Sequence, residues 1–476
     1  MSDTQQSWAP AAGGMRALLA KHPTVWLVTA LAIVFVILGT GAVYFGASLS
    51  QAPTVAVVTP TGVATADAAR LIPEGLPPAS RLRTCTVGAA AVDPLLGNLA
   101  ASVINVKTGE TLFDRGGASP QSPAGALQLV TAAATIATLG PQATLSTKVL
   151  DGTTPGSIVL VGGGDPTLST TRDSVYAGAP LISDLATAAM AKYAIAHPGV
   201  PVTSIVLDAS LWDPEDKWDS SWPTSERTEG YLPFITALMV DGDRADATQL
   251  ISARGDDPIA RAGQAFATAA GLTGVTFSRA PATGTTVLAT VTSQPASTLI
   301  SQMLMSSDNA LAEMLARAVS LKQGGGGTSA SLQKSISGAM ATLSMTGTDA
   351  LIIKDGSGES ANNGVPPLFV AQLTVKLNAG EKGLDVVLDG LPRGGATGDL
   401  ADRFTGDNAV AGEAVRAKSG WIFRERSLAG VLTAADGTLL SFAFYGLGEA
   451  ITYDTREALD ALTTAVYACG NNLSNN

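Results

Sequence analysis

The longest uninterrupted apolar stretch of the chain is TVWLVTALAIVFVILGTGAVYFGA, residues 24–47, which holds no charged side chain. About twenty apolar residues suffice to span a bilayer as a helix, so this stretch predicts a transmembrane anchor. Arg16 and Lys21 precede it, and Arg70 is the first cation after it. The positive-inside bias then puts residues 1–23 in the cytoplasm and the rest of the chain outside, a single-pass arrangement in the cell membrane. Small residues around Gly46–Ser48 leave a cleaved signal peptide as the rival reading, but the run exceeds a usual signal core and favours an uncleaved anchor. Residues 48–82 are rich in Ala, Thr, Val and Pro with little period and read as an extended extracytoplasmic linker.

From residue 83 the pattern becomes that of a folded domain. LGNLAASVINVKTGETLFDRG predicts two strands about a KTGE turn, and a helix follows that stops at Gly140-Pro141. Residues 149–293 alternate short strands and helices (SIVLVGGGDPTL, LISDLATAAMAKYAIAH, VTSIVLDASLW, TVLATVTSQ). Residues 294–470 open with the helical PASTLISQMLMSSDNALAEMLARAVSLK. They close with two strands about AADG, RSLAGVLTAADGTLLSFAFYGLG, and the helix TREALDALTTAVYA. Helices beside an antiparallel sheet make this an α+β fold. The terminal residues 471–476 read as a flexible tail.

The chain has 476 residues, enough for two or three domains. Its 46% hydrophobic and 14% charged residues exclude a disordered chain, and a net charge of −11 argues against nucleic acid as partner. There are two histidines, His22 and His197. The first precedes the apolar run and the second sits at a helix end, so a histidine-based triad or a zinc site is not expected, and no metal or cofactor is called for. A base would have to be Lys, Glu, Asp or Tyr. Cys85 and Cys469 lie near the two ends of the folded part. Outside the cytoplasm they are expected to form a disulfide; two unrelated buried thiols are the alternative.

Candidate chemistry lies in ordered motifs. SSDNALAEMLAR places Ser307 and Asn309 two apart before a helix, and RAKSG places Lys418, Ser419 and Gly420 in a strand-like stretch. A Ser-x-Asn followed by a Lys-Ser/Thr-Gly is the pattern of penicillin-recognising serine enzymes. Around them stand LVGGGDPTLS (160–169), YLPFITALMVDGDR (231–244), IIKDGSGESANNGVPP (352–367), LPRGGATGDLADRF (391–404) and AVRAKSGWIFRERSLAGVLTAADG (414–437). Over residues 83–470 this series resembles the D-alanyl-D-alanine carboxypeptidase/endopeptidase family typified by penicillin-binding protein 4, peptidase family S13. The resemblance implies a transpeptidase/β-lactamase-like domain, residues 83–148 plus 294–470, interrupted by an inserted domain, residues 149–293.

The family's first motif, P-A-S-x-x-K-L-x-T-A, aligns without a gap on Pro123–Ala132. Its nucleophilic serine falls on Gly125 and its lysine on Gln128. Glycine offers no nucleophile and a glutamine amide is no base, so no acyl-enzyme is expected. Ser122 with Lys418 as base is a remote rescue. The literal KTG at Lys107–Gly109 and SLQK at Ser331–Lys334 are decoys by position, and GGGG (324–327) reads as a flexible loop. After Gly420 the family carries small residues, with the next backbone N–H helping to form the oxyanion hole; here that position is Trp421, whose indole either crowds the cleft or packs locally. Ser307, Asn309, Lys418 and Ser419 either hydrogen-bond within the fold or still bind a stem-peptide carboxylate. Trp212, Trp218 and Trp222 read as core or loop anchors, with sugar stacking as the alternative. The expected protein is a membrane-anchored relative of D,D-carboxypeptidases that has lost catalysis and binds peptidoglycan stem peptides or cell-wall proteins. An active enzyme with a non-standard nucleophile and a structural protein with a vestigial cleft are the competing readings.

Overall fold

The computed structural model describes residues 82–475, which fall in one compact unit. The expected cytoplasmic segment, anchor and linker, residues 1–81, lie outside the described residues. Among the described residues no helix is long and apolar enough to cross a membrane.

Two five-stranded sheets organise the fold. The first runs β2 (Thr111–Arg115), β1 (Asn98–Asn105), β10 (Leu439–Leu447), β9 (Glu425–Thr433), β8 (Val415–Ile422), antiparallel throughout. Period-two alternation sorts its side chains between two cores. In β9, Ala429 and Val431 face a layer of helices α1 (Leu127–Leu139), α4 (Ala296–Ser306), α5 (Asn309–Lys322), α6 (Ser329–Thr342) and α7 (Pro367–Ala379). Leu428 and Leu432 face α8 (Thr455–Cys469), whose Leu459, Leu462 and Val466 complete the other core.

The second sheet runs β6 (Thr276–Arg279), β5 (Ser204–Asp208), β4 (Ser157–Val161), β3 (Ser146–Asp151), β7 (Val287–Thr292), and packs on α2 (Ile182–Ala196) and α3 (Pro258–Ala269). The expected antiparallel sheet is the first of the two, and the second departs from it. β4–β5 and β5–β6 are parallel, so this sheet is mixed. The strand–helix–strand alternation already visible in the sequence is that of crossover units, which only a parallel pair accommodates. Helix α5 serves both halves: Leu311 and Leu315 join the first core and Met314 the second.

A disulfide joins Cys85 to Cys469, with Cα atoms 5.4 Å apart, across 384 residues of sequence. It also explains why residues 471–475 do not form the expected loose tail. Leu473 is buried, the Ser474 N–H donates to the Cys85 carbonyl at 2.8 Å, and the Asp114 N–H donates to Asn475 Oδ1 at 2.7 Å. Backbone tied on both sides of a cross-link and burying a leucine has little freedom left to fray.

Candidate active site

The chain enters α1 through a tight turn at Ala124–Ala126. Ala124 sits at φ +44°, a left-handed conformation that a non-glycine residue adopts only when its surroundings hold it. The turn is held from two sides. Ser427 Oγ on β9 donates to the Pro123 carbonyl at 2.6 Å, and Gly358 and Gly420 press against Ala124 and Gly125 so closely that a Cβ at either would strike their backbone. Gly125 therefore lies flat against β8. A Cβ built on Gly125 would stand 2.8 Å from the Ser419 carbonyl oxygen and 3.1 Å from Gly420 Cα. The position has neither a reacting side chain nor room for one without movement of β8.

Lys418 points from β8 toward this turn; its Nζ would lie 3.6 Å from that Cβ. The side chain is wholly buried. Nζ pairs with Asp399 Oδ2 at 3.0 Å and donates to the Ser419 carbonyl, while Ser419 Oγ donates to the same Asp399 oxygen at 2.5 Å. The ammonium thus has internal partners, and Ser419 shares one of them. Ser122, the remote substitute nucleophile, is buried as well.

Gln128 is fully buried on the first turn of α1. Its Nε2 donates to Asn309 Oδ1 at 3.3 Å, and Asn309 Nδ2 donates to Glu359 Oε2 at 3.0 Å. A chain of two amides ending on a carboxyl thus occupies the position of the family lysine, and Gln128 Oε1 has no partner among the described residues. Glu359 belongs to a loop dense in acids. The Gly356 and Ser357 N–H groups donate to Glu313, and Asp355 accepts from Gly358, Ser360, Asn363 and Trp222 Nε1. Burial pushes the Glu359 carboxyl up to about 8, reinforced by the charges of Glu226, Asp355 and Glu313 and opposed by the Asn309 hydrogen bond. Burial and the charge of Asp355 raise Glu313 likewise.

These shifts fix a sign. A carboxyl raised in the folded state holds its proton where the unfolded chain has released it. Stability from Glu359 is therefore greatest below its ordinary value near 4.5 and is lost as pH rises toward about 8. Each pH unit in that window removes up to ~1.4 kcal/mol per such group. The melting temperature should fall from pH 5 to pH 8, and Glu359→Gln, which keeps an acceptor for Asn309, should flatten the profile. An unchanged slope in the variant would refute the assignment.

Ser307 ends α4 in a left-handed conformation at φ +54°, and Asp308 caps α5 by accepting from the Leu311 N–H at 2.9 Å. The position of the Ser-x-Asn motif is set by a residue that the sequence analysis passed over. Arg244 reaches from the turn after Val240 and pairs with Asp308 Oδ2 at 2.7 Å while donating to the Tyr176 hydroxyl at 2.7 Å, all three side chains buried. The available signals were Arg244 at the end of YLPFITALMVDGDR and Asp308 as a helix-capping residue.

Trp421 follows the local-packing alternative. Its indole does not crowd the cleft, because β8 alternates. Lys418 pairs with Ala429 in the helix-facing row, whereas Trp421 pairs with Arg426, in the row of Leu428 that faces α8. The ring lies 4.1 Å beneath the Arg426 guanidinium and edge-on to Tyr453 at 5.9 Å. Trp212 and Trp222 are buried, and Trp218 packs edge-on between Trp222 and Phe234, which is the anchoring reading of all three.

The comparisons agree with this architecture. The model of the D-Ala-D-Ala carboxypeptidase 3 (S13) family matches residues 84–270 and 244–466. A carboxypeptidase of Mycobacterium tuberculosis is 34% identical over 398 residues, covering 81% of this chain and 84% of its own. Carboxypeptidase DacB of Mycolicibacterium smegmatis is 31% identical over 458 residues, covering 93% and 96%. In structure, penicillin binding protein 4 of Haemophilus influenzae superposes with a TM-score of 0.65 at 18% identity, covering 80% of this chain and 98% of its own.

Proposed function

The chain belongs to the D-Ala-D-Ala carboxypeptidase 3 (S13) family, and from that premise we propose that it acts in peptidoglycan metabolism as a binding protein without acyl-transfer activity. The observation that carries this reading is Gly125, which lacks a nucleophile and is packed against the Ser419 carbonyl where a side chain would have to stand. Acyl transfer needs an activated oxygen or sulfur nucleophile and a base within hydrogen-bond reach. Here the family base position is an amide tied to Asn309, and Lys418 is committed to Asp399. The apolar run at 24–47 supports tethering to the membrane with the folded part outside the cytoplasm. The disulfide suits the same compartment. Ligands of this reading are the stem peptide or glycan of peptidoglycan, or a cell-wall protein.

A fluorescent penicillin incubated with the purified chain should leave no covalent label on a denaturing gel; a labelled band would overturn the reading. The double change Gly125→Ser, Gln128→Lys should also stay unlabelled, because the new Cβ meets backbone. It should lose about 1–3 kcal/mol from overpacking in denaturant titration. Efficient labelling of that variant would mean that the nucleophile site is open and only its side chains are missing.

A further inference from the structure

An aromatic and cationic stack lies on the face of the first sheet turned away from Gly125. Trp421, Phe423 and Tyr453 are 55%, 80% and 50% exposed, and the first two sit on the strand end and turn that lead from Lys418 into β9. Arg426 stands behind Trp421, 5.3 Å from the Tyr453 ring, and Arg456 lies 4.0 Å over Tyr453. Cations laid against both rings fix their orientation before any ligand arrives. Trp421 and Tyr453 pack edge to face, and contiguous exposed apolar surface marks interaction sites where scattered single residues do not.

The charges point to the kind of occupant. Arg403, Arg424 and Arg456 each pair with a carboxylate, on Asp460, Glu449 and Asp402. Among the described residues Arg426 has no ion-pair partner; it is 7% exposed, its Nε donates to the Thr452 carbonyl, and its Nη2 has no acceptor. A chain of net charge −11 thus keeps a nearly buried cation with no ion pair directly behind Trp421, the most exposed tryptophan among the described residues. An acceptor-rich or anionic ligand on Trp421 is drawn by that charge, while a purely apolar partner gains nothing from it.

Tyr453 and Arg456 are at the N-terminal end of α8, and Cys469, bonded to Cys85 near the point where residues 1–81 join, is at the other. The two ends of this helix are ~22 Å apart at 1.5 Å per residue. The stack therefore sits at the end of α8 remote from the disulfide.

We propose that Trp421 and Tyr453, backed by Arg426, form a glycan-binding platform for the sugar strand of peptidoglycan, separate from the closed Gly125 cleft. Sugar rings lay their C–H faces on the aromatic rings, and the acetamido carbonyl and hydroxyl oxygens of the strand turn toward the Arg426 charge behind Trp421. The inference rests on the peptidoglycan-binding reading above and assigns it to a different surface.

The test uses the folded extracytoplasmic chain with two probes, intact insoluble peptidoglycan and soluble glycan strands freed of stem peptides by an amidase. The expected result is binding of both, at least tenfold weaker for Trp421→Ala and Tyr453→Ala with unchanged melting temperature, and weakened for Arg426→Met. Binding of intact peptidoglycan but not of peptide-free strands overturns the platform and leaves the broader reading standing. Equal binding by wild type and Trp421→Ala does the same. Failure of the wild type on both probes overturns both. Trp421-dependent binding to anionic vesicles, or Trp421-dependent dimerisation, without glycan binding also overturns the platform.

Discussion

Arg244→Ala lowers the unfolding free energy by about 3–5 kcal/mol, the cost of leaving one member of a buried ion pair without its partner. For a domain stabilised by some 5–15 kcal/mol this is a large fraction of the total. Arg244 is 2% exposed, and its side chain bonds Asp308, the Tyr176 hydroxyl and the Leu250 carbonyl. Burial alone would raise the Asp308 carboxyl, yet Arg244 and Arg254 outweigh it and hold it below its ordinary value. Without Arg244, Asp308 must protonate or stay charged in the interior, and as the cap of α5 it carries the cost into the helix that begins at Asn309. Guanidinium titrations of wild type, Arg244→Ala, Asp308→Ala and the double variant measure the coupling. The double should cost clearly less than the sum of the singles. Strict additivity, or a loss under 1 kcal/mol for Arg244→Ala, would contradict the role given to this pair.

The second large effect is the disulfide. Replacing Cys85 and Cys469 by serine frees a loop that spans nearly the whole described chain, and the loop-entropy account assigns its closure about 6 kcal/mol. The consequence is local as well as global. The Cys85 N–H donates to the Asn472 carbonyl and the Arg83 Nε to the Asn471 carbonyl, so the cross-link holds the two termini in register. Hydrogen exchange in the double-serine variant should show residues 471–475 opening at a fraction of the global unfolding free energy. Protection equal to wild type there would mean that Leu473 burial alone holds the terminus.

How much of this was legible beforehand varies with the physics. The gapless match over Pro123–Ala132 identified Gly125 and Gln128 because local spacing on a helix start survives in sequence. The closure at Gly125 was not legible, since it depends on how near β8 comes, a tertiary distance. The placement of Trp421 was left open although a simple pattern decides it. Period-two alternation from Lys418 already sends position 421 to the opposite face. Glu359 lay inside a quoted motif, but its meaning comes from three neighbouring carboxyls at other sequence positions. Arg244 and Asp308 are separated by α3, β6, β7 and α4, and no local pattern pairs them. The parallel pairs of that sheet were visible as alternation and overlooked in favour of the antiparallel ends.

The first sheet has a kinetic consequence. β1 lies between β2 and β10, with Asn98 opposite Leu447 and Asn105 opposite Leu440, so the chain's earliest strands wait for its last one. The second sheet draws all its strands from between Ser146 and Thr292 and closes much shorter loops. During synthesis the later-numbered sheet is thus the one able to assemble first. The β1–β2 hairpin must meanwhile keep an unpaired edge until residue 447 is available, and that edge is where a stalled chain is open to aggregation.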